Sequence, residues 1–220
     1  MPRPVARNVF IAGGTGYIGR HLIPVLLQRG HVVRAMVRKG SESKLPPLCI
    51  PVPGDPLLKE TFAESILPSD TFIQMVGVPH PGPAKARQFR AIDLVSGRAS
   101  INAAAEAGVQ HFVYISVAQP APVMKEYVKV RAECEELLRE RKLNATILRP
   151  WYVVGEGHRW PLIARPVYRL CERIPSMRDT ALRLGLVTIE QMISAIVRTV
   201  EDPCHGIRTI EVPQIRTMHA

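Results

Sequence analysis

Three glycines near the start of the chain have the spacing of a turn that binds phosphate groups. Gly13, Gly16 and Gly19 follow the apolar residues 9–12, which predict a buried strand, and lead into residues 18–29, where apolar side chains recur at helical spacing. The first glycine permits a tight turn, the second lets a pyrophosphate approach the backbone, and the third lets the helix pack closely on the strand. Free N–H groups and the helix dipole favour negative charge at such a helix N-terminus.

The order of strand, glycines and helix therefore predicts a dinucleotide site, whereas a glycine-rich turn without a ligand is the alternative. The expected cofactor contacts in this turn are Gly13, Thr15, Gly16, Tyr17, Ile18 and Gly19.

The end of the second predicted strand, residues 31–37, indicates which dinucleotide binds. It is followed by Arg38, Lys39 and Ser41, and the first acidic residue is Glu42. In such folds an acid roughly 20 residues past the glycines holds the ribose hydroxyls of NAD, whereas an arginine suits the 2′-phosphate of NADP. Arg38 offers a planar fork to phosphate, with Lys39 and the Ser41 hydroxyl beside it. We therefore predict NADP(H) in preference to NAD(H); the alternative is a solvated basic turn.

Strand and helix patterns alternate as far as residue 148, which predicts a parallel sheet with helices on both faces. We expect a single α/β domain over residues 1–220, with a doubly wound parallel Rossmann core at 7–148 and a small C-terminal substrate lobe at 149–220. Further strands are expected at residues 48–52, 71–76, 111–116, 145–148 and 209–212, and further helices at 57–66, 84–107, 125–142 and 188–201.

Composition narrows the class of protein. The chain has 220 residues, 46% hydrophobic residues, 5% aromatic residues and a net charge of +10. No apolar stretch approaches the ~20 residues of a membrane span, and no signal segment is evident, so the cytoplasm is the expected compartment. The four cysteines contain no C-x-x-C pair, so neither a zinc site nor a disulfide framework is expected.

The excess of basic residues has two interpretations. With few aromatic residues and no helix-turn-helix or zinc-finger pattern, nucleic acid is not an expected partner. Arg165, Arg169 and Arg173 recur every four residues, so a helix there would carry a basic stripe. That stripe could contact a membrane surface or a protein, although an ordinary solvated helix has the same pattern.

Several short motifs together resemble the atypical short-chain dehydrogenase/reductase superfamily over nearly the whole chain, in particular its NmrA-like and complex I accessory-subunit-like branches. They are the glycine turn, Gly54-Asp55, residues 107–109, the strand ending at Ser116, and residues 148–150. The resemblance implies a Rossmann core with the cofactor across the carboxyl ends of the strands. It also implies that Asp55 lies beside the adenine, and that Val76, Gly77 and Val78 lie against the cofactor's ribose and phosphates.

Active members of that superfamily use a serine, a tyrosine and a lysine, the last two spaced four residues apart on one helix. Tyr127 matches the tyrosine, but Arg131 stands at the lysine position, and Ser116 precedes the usual serine position by one or two residues. The charge of Arg131 favours a phenolate, but its fork is not equivalent to a compact ammonium. Pairing with Glu135 is the alternative role for Arg131. The candidate catalytic residues are Tyr127, Arg131 and Ser116.

Substrate contacts are expected from two loops. His80 follows the fourth strand, and Trp151, Tyr152 and His158 follow the sixth. A histidine can shuttle protons near neutral pH, and a tryptophan can wall an apolar pocket; packed loops without a ligand are the alternative.

The incomplete triad leaves different function classes open. One is NADP(H)-dependent hydride transfer to a carbonyl or quinone-like substrate, with Tyr127 as proton donor. Another is a non-enzymatic NADP(H)-responsive sensor or scaffold. Isomerase or dehydratase chemistry with a tightly held cofactor is a third.

Overall fold

Nine strands are present in the computed structural model, which describes residues 5–156 and 175–218. They are β1 (Asn8–Ala12), β2 (Val32–Val37), β3 (Ile50–Pro53), β4 (Thr71–Gln74), β5 (His111–Ile115), β6 (Ala145–Arg149), β7 (Tyr152–Val154), β8 (Leu186–Thr188) and β9 (Ile207–Glu211). Seven form a parallel sheet in the order β3-β2-β1-β4-β5-β6-β9. The chain order reverses between β1 and β4, and a crevice at such a switch point is where open α/β sheets bind ligands.

Helices cover both faces of this sheet. They are α1 (Tyr17–Gln28), α2 (Ala86–Gln88), α3 (Val95–Glu106), α4 (Lys125–Glu140), α5 (Pro175–Arg183), α6 (Ile189–Glu201) and α7 (Val212–Thr217). A π-helical turn, Phe89–Leu94, joins α2 to α3.

Each face of the sheet has its own hydrophobic core. Because side chains alternate along a strand, Val9 and Ile11 of β1 pack with α1 and α6, whereas Phe10 and Ala12 pack on the opposite side with α3 and α4. All four are fully buried. The predicted doubly wound parallel α/β fold is confirmed.

Several strand boundaries differ from the prediction by one or two residues, and the last strand spans Ile207–Glu211 rather than 209–212. The third and fourth strands show the physical reasons. Leu48 was expected inside the third strand, but its φ of 71° is left-handed and its side chain is 86% exposed, so β3 begins at Ile50. The fourth strand ends at Gln74 rather than at residue 76. There the Gln74 side-chain oxygen accepts a hydrogen bond from the Val76 N–H at 3.4 Å, and the backbone leaves the ladder.

The helix predicted at residues 57–66 is wrong. The segment forms two short 3₁₀ helices, Lys59–Thr61 and Ala63–Ser65. The Thr61 hydroxyl accepts a hydrogen bond from the Asp55 N–H and donates to the Leu58 carbonyl. Such side-chain bonds to nearby backbone compete with a regular helix.

The C-terminal part adds a small second sheet, in which β7 pairs parallel with β8. Directly after β8, Thr188 and Gln191 form a capping box at the start of α6, each side chain bonded to the other's backbone N–H. This fixes β8 to a helix that is packed on the main sheet.

Candidate functional site

The turn between β1 and α1 has no room for side chains at Gly13 and Gly19. Gly13 has a φ of 94°, and a Cβ there would lie 3.0 Å from the backbone nitrogen of Val76. A Cβ on Gly19 would overlap the carbonyl oxygens of Gly13 and Gly14. Gly16 caps α1 without a side-chain hydrogen bond, and the first helical turn contains no acidic residue. The helix therefore presents its N–H groups and positive dipole end to an anion, as a pyrophosphate requires.

A cavity of about 480 Å³ adjoins this turn, at the carboxyl ends of the strands. It brings together many of the residues predicted from the sequence: Gly13, Gly16, Tyr17, Ile18, Gly19, Gly77, Val78, His80, Ser116, Tyr127, Trp151 and Tyr152. Other predicted residues do not line it: Thr15, Arg38, Lys39, Ser41, Asp55, Val76 and Arg131. His158, Arg165, Arg169 and Arg173 lie outside the described residues.

The wall of the cavity is mainly apolar and aromatic. The rings of Trp151 and Tyr152 meet edge to face, with centroids 5.5 Å apart. Among the described residues that line the cavity, none is Asp, Glu, Lys or Arg.

The loop after β4 forms one edge of the cavity. The Lys85 ammonium donates a hydrogen bond to the Pro79 carbonyl at 2.6 Å and so closes the loop on itself. His80 within it has a φ of 49° and an exposed side chain, at the cavity's rim. A substrate contact by His80 stays a prediction.

The basic residues after β2 lie in a tight turn next to the glycine turn. Arg38 and Lys39 are exposed, and the Ser41 N–H donates to the Arg38 carbonyl at 2.9 Å. The Glu42 carboxylate accepts the Gly40 N–H at 3.1 Å. Hydrogen bonds from its own backbone N–H and from that of Gly40 lower the pKa of Glu42. The nearby acid therefore caps the turn, while both basic side chains face solvent.

Asp55, which the resemblance places beside the adenine, lies in the loop after β3. Its carboxylate accepts a hydrogen bond from the Leu57 N–H at 2.9 Å. The half-buried side chain thus stabilises its own turn.

Tyr127 and Arg131 occupy the same face of α4, because residues four apart on a helix are neighbours. Tyr127 is half-buried and lines the cavity, and the Arg131 guanidinium carbon lies 5.2 Å from the centre of its ring. Arg131 itself is 4% exposed and sits behind the cavity wall. Its guanidinium donates to the Ile115 carbonyl at 3.0 Å and to the Tyr114 hydroxyl at 3.4 Å.

The alternative pairing of Arg131 with Glu135 is wrong. Arg131 instead forms an ion pair of 2.6 Å with Asp93, whose carboxylate also accepts the Val78 N–H at 3.0 Å. Burial raises the pKa of the Asp93 carboxyl, while Arg131 and the Val78 N–H oppose that shift.

Sequence reasoning missed Asp93, because it lies inside a predicted helix and 38 positions from its partner. The only local signal was an acidic residue between apolar neighbours.

Glu135 is instead the centre of a second buried network. It accepts hydrogen bonds from the Ser116 hydroxyl at 2.5 Å and from the Gln119 side chain at 2.7 Å. Arg149 binds the same carboxylate through two nitrogens and also reaches Glu211 at 2.9 Å. Ser116 therefore directs its proton at Glu135 and presents only oxygen lone pairs to the cavity.

Residues 13–159 match the family model described as NAD(P)H-binding. The chain belongs to this family. The match spans the glycine turn, the strands β2 to β6 and the helix that carries Tyr127, and the resemblance to atypical short-chain dehydrogenases/reductases is thereby confirmed.

Individual relatives agree with this assignment. The chain is 26% identical to ceramide reductase from Caulobacter vibrioides, over 94% of this chain and 65% of that protein. It is 25% identical to a 4-hydroxy-2-methyl-3-oxo-4-farnesyl-3,4-dihydroquinoline-1-oxide ketoreductase from Stigmatella aurantiaca, over 67% of this chain and 51% of that protein. The chain thus spans less than two thirds of the length of these curated relatives.

Solved structures show the same fold. The Bordetella bronchiseptica enzyme WbmH in complex with NAD⁺ superposes with a TM-score of 0.69 at 21% identity, covering 93% of this chain and 75% of WbmH.

Within the described parts of the chain, no helix combines the length and hydrophobicity that a transmembrane segment needs. The same parts contain no group of three or more His, Cys, Asp or Glu residues arranged to hold a metal ion.

Proposed function

We propose that the protein is an NADP(H)-dependent reductase that acts on an uncharged carbonyl or quinone-like substrate. The observation that carries this proposal is that Tyr127 and the glycine turn line one cavity. A proton donor and a dinucleotide-binding turn are thus within reach of one bound molecule. Two relatives whose names describe reductases support the reaction class.

The residues around the turn fit a dinucleotide. The N-terminus of α1 would hold the pyrophosphate, Arg38, Lys39 and Ser41 would hold the 2′-phosphate, and Asp55 would lie beside the adenine. Val76, Gly77 and Val78 would contact the ribose and phosphates. When bound, the nicotinamide supplies the hydride. NADP(H) is favoured over NAD(H) because the basic side chains are exposed while Glu42 is engaged with Gly40.

The chain's own residues supply the proton and the environment. The Tyr127 hydroxyl donates its proton to the substrate oxygen, which becomes a hydroxyl group. Trp151 and Tyr152 supply aromatic surface along one side of the cavity. Ser116 accepts, rather than donates, a hydrogen bond there, because its proton is committed to Glu135.

Cofactor preference is tested by calorimetric titration with NADPH and with NADH. Loss of a charge-assisted hydrogen bond costs about 1.5–3 kcal/mol, so Arg38→Ala should weaken NADPH binding by roughly 10- to 150-fold and leave NADH binding unchanged. Lys44→Ala removes another exposed basic residue from the same segment and serves as the control. Equal loss of affinity for both nucleotides in Arg38→Ala would contradict the assignment.

Catalysis is tested by following NADPH oxidation with a lipophilic quinone such as phenanthrenequinone and with an aryl ketone. Tyr127→Phe removes only the hydroxyl and should lower kcat about 10²- to 10⁴-fold, the usual contribution of a positioned proton donor, while NADPH affinity is retained. An unchanged kcat would exclude Tyr127 as the donor.

A non-enzymatic NADP(H)-responsive sensor is the second candidate. One observation favours it. The Arg131 guanidinium, which lies behind Tyr127, forms an ion pair with the Asp93 carboxylate at 2.6 Å, so the charge of Arg131 is directed away from the cavity. In that case NADPH would bind and protect the chain from proteolysis. The native protein and Tyr127→Phe would behave alike in cells, and neither would oxidise NADPH with the quinone or the ketone.

A further inference from the structure

Two helical segments meet in register beside the cavity. Phe89 and Asp93 are four residues apart in the π-helical turn, and Tyr127 and Arg131 are four residues apart on α4. The Phe89 ring lies 4.8 Å from the Tyr127 ring, and Asp93 pairs with Arg131 at 2.6 Å. The π-helical turn therefore contacts both members of the Tyr127 and Arg131 pair. Single π-helical turns inside α-helices are frequent at functional sites.

The ion pair also holds the segment that follows β4. One Asp93 oxygen accepts the Val78 N–H at 3.0 Å and the other accepts Arg131, which in turn contacts the Val76 carbonyl at 3.5 Å. Gly77 lies directly against the pair, since a Cβ at this position would overlap the Arg131 guanidinium. Gly77 and Val78 line the cavity.

The pair is shielded from solvent. The side chain of Asp93 is 0% exposed and that of Arg131 is 5% exposed. Desolvating two charges offsets much of their attraction, so a buried pair is weak evidence for a purely stabilising role. Its partners are the donor Tyr127, the wall segment at residues 76–78 and the end of β5, through the Ile115 carbonyl.

We propose that Asp93 is a positioning residue: through Arg131 it sets the place of Tyr127, and through the Val78 N–H it sets the wall against which the dinucleotide binds. The inference rests on the proposed function. Asp93 acts through other groups and does not itself line the cavity.

The test uses variants that separate positioning from stability. Asp93→Asn keeps the side-chain size but replaces one acceptor with a donor and leaves Arg131 uncompensated. The double variant Asp93→Ala/Arg131→Met removes both charges, which restores stability without restoring the contacts. Glu201→Gln breaks an Arg–carboxylate pair with Arg29, at residues that do not line the cavity, and is the matched control.

The Kd for NADPH, kcat and KM with the quinone, and hydrogen exchange of the Val78 amide are measured at a temperature where every variant is folded, and the melting temperature is measured separately. Asp93→Asn and the double variant should raise the Kd at least fivefold, lower kcat at least tenfold and accelerate Val78 exchange at least tenfold. Glu201→Gln should change none of them more than twofold. In the double variant the melting temperature should recover while kcat does not.

Each contrary result identifies what has failed. A double variant with native Kd, kcat and Val78 exchange would show that the Asp93–Arg131 pair only stabilises the fold. That result would overturn the positioning role and leave the proposed function standing. Native protein that binds neither NADPH nor NADH would overturn the proposed function, and the positioning role with it.

Discussion

Acidification from pH 7 to pH 5 is expected to destabilise the protein through His111, at the start of β5. The side chain is 1% exposed, and its Nε2 lies 3.1 Å from the Thr146 hydroxyl. Burial lowers the pKa of His111 to about 4, with further lowering by Arg208 and Arg7 and opposition from acidic Asp202. The native state therefore keeps His111 neutral at pH values where the unfolded chain binds a proton.

The sign and size of the effect follow from linkage. The pKa of His111 is lower in the folded state than its unfolded value of about 6.5. Above that value the histidine does not reduce the free energy of unfolding, and as pH falls from there towards 4 it reduces this free energy progressively. The loss of unfolding free energy is about 2 kcal/mol at pH 5 and about 3 kcal/mol at pH 4.

Urea denaturation at pH 7 and pH 5 measures this loss. His111→Gln keeps a polar group near Thr146 but cannot take up the proton, so its stability should fall by about 2 kcal/mol less than that of the native protein over this range. Removing the exposed His205 serves as the control. The reasoning is refuted if His111→Gln and the native protein lose stability equally, since the protonation site would then lie elsewhere.

Gly19→Ala places a Cβ on the carbonyl oxygens of the phosphate-binding turn and should cost about 1–3 kcal/mol in thermal unfolding and weaken NADPH binding. Gly82→Ala, where nothing lies within 4 Å of the new atom, should change neither; equal effects at both sites would contradict the packing argument. Thr188→Ala removes a capping box and should cost about 1 kcal/mol, measured as a fall in melting temperature of about 2–4 °C. Burial raises the pKa of the Cys49 thiol to about 11, so in mass-spectrometric labelling at pH 8 it should remain unmodified by iodoacetamide; rapid labelling of native protein would show that the site opens readily.

Local spacing was sufficient for the parts of the site that lie close together in the chain. The glycines of the turn between β1 and α1 are six residues apart from first to last, and their steric roles are properties of one turn. The basic turn at residues 38–41 and the four-residue spacing of Tyr127 and Arg131 are equally local. The buried strands were predictable for the same reason, since a continuous apolar run such as residues 9–12 is already present in the order of residues along the chain.

Partners distant in sequence were not predictable in this way. Helix geometry made Glu135 an available neighbour for Arg131, but it carried no information about Asp93, 38 residues away. Two tertiary contacts determine which carboxylate pairs with Arg131. The π-helical turn directs Asp93 towards α4, and Arg149 of β6 forms an ion pair with Glu135.

The sequence by itself thus determined the fold class, the glycine turn proposed to bind the dinucleotide and the candidate proton donor, because each depends on spacing within a single strand, turn or helix. Only the tertiary structure decided which carboxylate compensates Arg131 and where the Ser116 proton points. A buried charge takes the partner that packing brings within hydrogen-bond distance, and that distance is set by how helices and strands far apart in the chain come together.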